Sequence, residues 1–267
     1  MPAVTGQAAV TANYGGGKVL ARVLGMVEAD GLDPRALRQD DLRRFDSMHI
    51  GGWQATEALL DPLGLAPGTR ALDVGCGIGG AARTLAERYG AVVEAIDLTP
   101  EFVTVAEALT AMTGTAGVRY QVASGTALPF EAGAFDLATL IHVGMNIDDK
   151  PTLFAEVARV LRPGGRFAVY DVMRTGPDEP PYPQPWAGTP AISFLEPPDA
   201  YARLAAAAGF VESARRERLD EGIAAVQAMG GVSAASRGMP EDRRLNILTA
   251  LEAGTLAPVE MIFVKPI

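Results

Sequence analysis

One cysteine and two histidines are all that 267 residues offer of thiol and imidazole. A single cysteine excludes an internal disulfide, and the set forms no metal cluster at recognisable spacing. Long apolar runs are missing as well. Each hydrophobic stretch is broken by Glu, Asp or Arg, so no membrane-spanning helix is expected, and no signal peptide is read. Basic blocks are absent too, and a formal charge of −9 argues against a nucleic-acid surface. What remains is a chain long enough for a substantial core, 48% hydrophobic, expected to work in the cytoplasm on something small.

Glycine, by contrast, is concentrated where the chain needs it. Arg70 to Val74 reads as a short buried strand, Gly75 to Gly80 as a glycine-dense turn, and Ala81 to Tyr89 as a helix. Glycines at 75, 77 and 79 permit positive φ and let a ligand lie against bare backbone. A second strand ends in Asp97, whose carboxylate suits the two hydroxyls of a ribose. Turn and acid together mark a ligand that contains a nucleoside. Asp73, immediately before the turn, is poorly placed beside a pyrophosphate and well placed for an ammonium, which disfavours a nicotinamide dinucleotide.

The same strand-then-helix alternation continues down the chain. Strands are read at 69–74, 91–97, 117–123, 135–141 and 166–171, with helices at 79–89, 100–113 and 150–161 between them. Parallel strands covered on both faces explain the continuous apolar runs. Ligands in such sheets lie beyond the strand C-termini, and those ends carry Asp73, Asp97, His142 and Asp171. Later come a helix at 199–208, a strand at 210–216, helices at 224–229 and 243–253 separated by a joint at 230–238, and a last strand at 259–264.

The glycine turn resembles motif I of the class I S-adenosylmethionine-dependent methyltransferases. The likeness extends to Asp97-Leu98-Thr99-Pro100, Gly125, Leu128-Pro129-Phe130 and Leu161-Arg162-Pro163-Gly164-Gly165. The segments 45–52 and 144–150, with Pro185-Trp186, are similar to the bacterial group around the sarcosine/dimethylglycine N-methyltransferases. The resemblance covers residues 14–210. It implies an α/β, Rossmann-like, mostly parallel seven-stranded sheet flanked by helices, with the last strand antiparallel between its neighbours. Residues 1–62 would form an N-terminal helical cap and lid, and 63–267 the core, with 174–198 as a substrate-side loop.

The resemblance also implies a donor, S-adenosyl-L-methionine, and a small-molecule acceptor. An amine nitrogen is the expected acceptor; a quinone-like ring carbon and a non-catalytic nucleoside-binding role are the alternatives. A homodimer is compatible with this reading, and neither nucleic acid, membrane nor metal belongs to it. Donor contacts are expected from Asp73, Gly75, Gly77, Gly79, Asp97, Leu98, Ser124, Gly125 and His142. Related enzymes commonly carry an acid where this chain has Ser124. His142 and His49 are the candidates for proton handling near neutral pH. Tyr14, Met145, Asn146, Tyr182, Trp186 and Phe194 are the candidate acceptor contacts, the last three of them or their neighbours lying in or beside a proline-rich segment that carries too many aromatics for a disordered linker.

Overall fold

Seven strands form, apolar in the middle of the sheet and polar at its two edges. The computed structural model describes residues 17–229 and 239–267. Its strands are β1 (Arg70–Val74), β2 (Val92–Asp97), β3 (Val118–Val122), β4 (Phe135–Ile141), β5 (Leu161–Arg174), β6 (Val211–Glu217) and β7 (Leu256–Val264). They form one sheet in the order β3-β2-β1-β4-β5-β7-β6. The first five pair in parallel, and β7 runs antiparallel between β5 and β6. This is the mostly parallel, Rossmann-like sheet expected. The order reverses between β1 and β4, and the crevice beyond the C-termini at such a reversal is where open α/β sheets bind ligands.

The helices that cover the sheet are α1 (Val19–Ala29), α2 (Gln39–Leu42), α3 (Gly52–Leu60), α4 (Gly80–Tyr89), α5 (Pro100–Thr113), α6 (Lys150–Val160), α7 (Pro198–Ala207), α8 (Leu219–Ala228) and α9 (Glu241–Glu252). On one face Leu59, Leu60, Ala82 and Leu85 pack against Ala71, Val93 and Ala168. On the other, Leu153, Phe154, Val157 and Tyr201 pack against Leu72, Leu140, Phe167 and Val169. Burying a side chain of this size contributes roughly 1.5–3 kcal/mol, so the two faces hold the sheet. Helix α1 sets Val19, Val23 and Val27 on Phe102, Val105 and Leu109 of α5. A further cluster joins Trp186, Val226, Ile247, Leu251 and Leu256, so the C-terminal helices lie over the loop that follows β5.

Two readings of the sequence need correction here. β5 spans 161–174 rather than 166–171, because Pro163-Gly164-Gly165 bulges within the ladder instead of ending it. Gly164 N–H donates to Lys265 and Lys265 N–H to Gly165, each at 2.8 Å. The strand also runs on to Arg174 against Leu256 of β7. Asp171 therefore sits inside a strand, not on the rim with Asp73, Asp97 and His142. It is fully buried, receiving the Tyr201 hydroxyl at 2.7 Å and the Val172 N–H at 3.0 Å. The joint read at 230–238 lies outside the described residues.

Candidate active site

β1 ends at Val74, and the chain turns over the sheet edge through three glycines of positive φ before α4 begins. Gly75 and Cys76 both donate to the carbonyl of Ile96 at 2.8 Å, which locks the turn to β2. Glycine is required at Gly75 because a Cβ there would run into the Val143 side chain. Gly77, at φ 52°, differs: a Cβ there would meet nothing within 4 Å. It faces a cavity of about 170 Å³. Gly79 caps α4 at φ 86° and lies outside that cavity; its missing Cβ leaves room for the Tyr120 hydroxyl.

The cavity is walled by the β1 turn, Asp97 to Thr99, Ala123 to Thr126, Ile141 to Val143, Asn146 to Asp148 and the segment Asp46 to His49. Asp73 stands at its base, 1% exposed. One carboxylate oxygen accepts the Thr139 hydroxyl at 2.7 Å, and the other, Oδ2, has no hydrogen-bond partner among the described residues. Burial raises its pKa to about 6. An orphaned buried carboxylate oxygen is a costly arrangement that a cationic ligand group would offset. Asp97 accepts the N–H of Gly77 at 2.9 Å on Oδ2 and that of Thr99 at 2.8 Å on Oδ1. This pair of bonds fixes the plane of the carboxylate at the cavity edge. Burial raises this pKa too, partly offset by those N–H groups. Leu98 and Gly125 share the wall. Ser124 is engaged in a local turn, its hydroxyl 2.8 Å from that of Thr126. The only carboxylates on this wall besides Asp46, Asp73 and Asp97, among the described residues, belong to Asp148. The sequence reading did not single it out as a contact, because it lies in the loop after β4 and not at the end of β3.

A second cavity, of about 360 Å³, adjoins the first. The two share Ser47, Met48, His49, Ile78, Phe102 and His142 as a common wall. His142 follows β4 with φ 55°, the sole positive φ outside glycine among the described residues. A side chain held there costs of order 1–3 kcal/mol, and such strain clusters at functional sites. Its N–H is anchored on the Tyr170 carbonyl at 2.7 Å, while its Nε2 is inaccessible and has no partner among the described residues. The His49 ring centroid lies 5.6 Å from that of His142, and His49 Nε2 is 3.0 Å from the Thr56 hydroxyl. Burial lowers both imidazoles, His49 to about 4 and His142 well below the ordinary value, the latter also through its neighbour. Both are neutral at pH 7.

The remaining expected contacts divide. Met145 and Trp186 line the second cavity, with the Trp186 ring N–H held by Ser193 at 2.9 Å. Asn146 lines the first cavity instead. Tyr182 packs into the cluster beneath the C-terminal helices and lines neither cavity. Phe194 lines neither; its backbone pins the loop, its N–H on the Met145 carbonyl at 2.8 Å and its own carbonyl taking the Lys150 ammonium. Tyr14 lies outside the described residues.

Known proteins narrow what this geometry belongs to. A family model described as "Methyltransferase domain" matches residues 72–169. The chain is 35% identical over 191 residues, 71% of its length, to a 2-methyl-6-phytyl-1,4-hydroquinone methyltransferase of Synechocystis sp.. It spans 57% of that relative's length. Over 99% of both chains it superposes, with a TM-score of 0.71 and 20% identity, on a geranyl diphosphate C-methyltransferase of Streptomyces coelicolor. The chain has the class I methyltransferase fold. It is related to several small-molecule methyltransferases. The narrower likeness, to a putative sarcosine dimethylglycine methyltransferase of Galdieria sulphuraria, stands at 22% identity and a TM-score of 0.67 over 80% of this chain and 86% of that one. It carries the fold and no acceptor.

The lone Asp73 oxygen yields a test of this site. Asp73→Asn is expected to weaken S-adenosylhomocysteine binding about ten- to a hundredfold, since hydrogen bonds to charged groups are worth about 1.5–3 kcal/mol. The same change should stabilise the ligand-free protein. A carboxyl whose folded pKa is raised contributes most stability below its unfolded pKa and loses it as pH rises through about 6. The gain in unfolding midpoint is therefore expected at pH 7.5 and absent below about pH 4. Thermal melts at both pH values, beside calorimetric titration, would show it; a variant less stable at pH 7.5 would contradict the reading of Asp73 as an unpaired buried charge.

Proposed function

We propose that the chain transfers a methyl group from S-adenosylmethionine to a small, largely apolar acceptor. The observation that carries this is the adjacency of two cavities across one wall of His49, His142 and Met48. The residues fit the donor: Asp73 Oδ2 would take its ammonium, the bare backbone at Gly75 and Gly77 its chain, and Asp97 its ribose hydroxyls, with Ser124 or Asp148 near the base. When bound, S-adenosylmethionine supplies a sulfonium methyl that is already electrophilic.

The chain's own work is then alignment and the exclusion of water. His142 lines both cavities, and its neutral imidazole is placed beside the space in which an acceptor hydroxyl, amine or enol would lie. Its lowered pKa makes it a weak base, so holding and orienting the acceptor is its main role, with proton removal secondary. Among the described residues no carboxylate lines the second cavity. An amine would have to enter neutral, whereas an activated ring needs no counter-charge. This supports the ring-type acceptor over the amine.

His142→Ala is expected to lower the single-turnover rate about a hundredfold while leaving S-adenosylhomocysteine affinity nearly unchanged. His142→Gln, which keeps a hydrogen-bond acceptor but takes no proton at neutral pH, should recover most of the rate if orientation dominates. Because the imidazole must stay neutral, the acid limb of the rate profile is expected below the ordinary histidine range. Undiminished turnover by His142→Ala would remove this residue from the site. A wild-type protein that binds the donor product yet methylates no amine, phenol, quinol or other apolar acceptor would favour a nucleoside-binding role.

A further inference from the structure

The second cavity combines an apolar body with charge of one sign. Aromatic and aliphatic walls come from Phe45, Phe102, Trp186 and Val226. Five of the chain's nine methionines, Met26, Met48, Met145, Met229 and Met239, also line it. Methionine is unbranched and polarisable, so such walls adapt to a flexible apolar guest. At about 360 Å³ the space falls within the range of small-molecule sites.

Among these residues stand three guanidinium groups, Arg22, Arg44 and Arg243, and no carboxylate among the described ones. The two histidines on the wall are neutral at pH 7. In a chain of net charge −9, a cavity lined by three cations is against the overall charge balance. The three differ in how they are held. Arg44 is paired with Asp30 at 2.5 Å, outside the cavity wall. Arg243 is fixed by donating to the carbonyls of Gln184 and Pro185 at 2.9 and 3.1 Å. Arg22, on the exposed face of α1, has no side-chain hydrogen bond or ion pair among the described residues. Guanidinium forks match phosphate and carboxylate oxygens, and a partly desolvated site strengthens the attraction.

We infer that the acceptor is amphiphilic, an apolar skeleton carrying an anionic group, carboxylate or phosphate, which Arg22 and Arg243 receive while the skeleton runs among the methionines toward His142. The inference rests on the methyltransferase reading for the word acceptor, but the binding preference can be measured without any methyl transfer.

The probes are four ten-carbon molecules: decyl phosphate, decanoate, 1-decanol and decylamine. Each is titrated calorimetrically into the intact chain, with Trp186 fluorescence as a second readout because that ring lines the cavity. The two anions are expected to bind at least about tenfold more tightly than the alcohol at low salt, with the amine weakest, and the margin should shrink as salt screens it. Arg22→Gln, a surface change, should cut the margin; adding Arg243→Gln should bring anion and alcohol within about threefold. Thermal melts confirm that the variants are folded, and Arg243→Met, which keeps most of the side-chain length and removes the charge, serves in place of the glutamine variant if it is not. Phosphate and carboxylate differing from each other would tell which anion the site prefers and support the inference. Equal binding of anion and alcohol, tighter binding of the amine, or a margin that survives in the double variant would overturn it. Titration with S-adenosylhomocysteine on the same samples keeps the two questions apart: its failure would remove the donor site and leave the anion preference standing.

Discussion

Gly77→Val is expected to abolish S-adenosylhomocysteine binding while leaving the protein folded. The two effects separate because of where the Cβ would go. At Gly75 it would strike Val143, so loss of binding there would be confounded with loss of fold. At Gly77 it would enter open space on the cavity side, within 4 Å of nothing. The folded protein bears only the cost of a β-branched residue at φ 52°, of order 1–3 kcal/mol. A ligand lying on that backbone meets two methyl groups, and the N–H of residue 77 that orients Asp97 is disturbed as well. Circular dichroism and a thermal melt should register a folded protein with a modestly lower midpoint. Calorimetric titration should detect no binding; affinity within about threefold of wild type, roughly 0.7 kcal/mol, would remove this loop from the donor site.

Arg83→Met is expected to destabilise the chain by about 3–5 kcal/mol, the usual cost of stranding one partner of a buried ion pair. Arg83 and Asp46 are both fully buried and 2.8 Å apart. The guanidinium also donates to the Gln39 side chain at 3.0 Å, the Thr110 hydroxyl at 3.1 Å, and the carbonyls of Ile78 and Ala106 at 2.9 and 3.3 Å. These five bonds use every N–H it has. The network clamps the segment that carries Ser47, Met48 and His49 onto the start of α4, and that segment forms part of both cavities. Donor affinity should therefore fall along with stability. The double variant Arg83→Met, Asp46→Leu removes the stranded carboxylate and should recover most of the lost stability. Denaturant unfolding of the two single variants and the double gives the coupling. A single variant within 1 kcal/mol of wild type would contradict the role assigned to the clamp.

How much of this was legible in the sequence follows from how local each signal is. β4 could be read residue for residue at Phe135–Ile141, because a strand buried on both faces is apolar along most of its length, here everywhere but Asp136 and Thr139. The glycine turn and Asp97 were legible because the constraints act within a few residues of chain. β5 was read short, since a proline followed by two glycines marks a turn in isolation, and only the pairing with Lys265, a hundred positions on, shows a bulge. Asp171 moved off the rim for the same reason. The Arg83 network was not legible locally: its side-chain partners lie 44, 37 and 27 positions away. The aromatics of the proline-rich loop show the limit of composition. Trp186 lines the second cavity while Tyr182 packs beneath α8 and α9, and nothing in the residue types distinguishes them. The cavity with three arginines was equally invisible, assembled from α1, the segment before α3 and α9.

The central claim is that the crevice beyond β1 and β4 is a nucleoside site whose Asp73 receives an ammonium group of the ligand. Calorimetric titration of the intact wild-type chain with S-adenosylhomocysteine, and separately with a nicotinamide dinucleotide, tests it most directly. One molecule of S-adenosylhomocysteine per chain, with no heat from the dinucleotide, is the result predicted. No binding of S-adenosylhomocysteine, or binding of the dinucleotide with equal or greater affinity, would contradict the account.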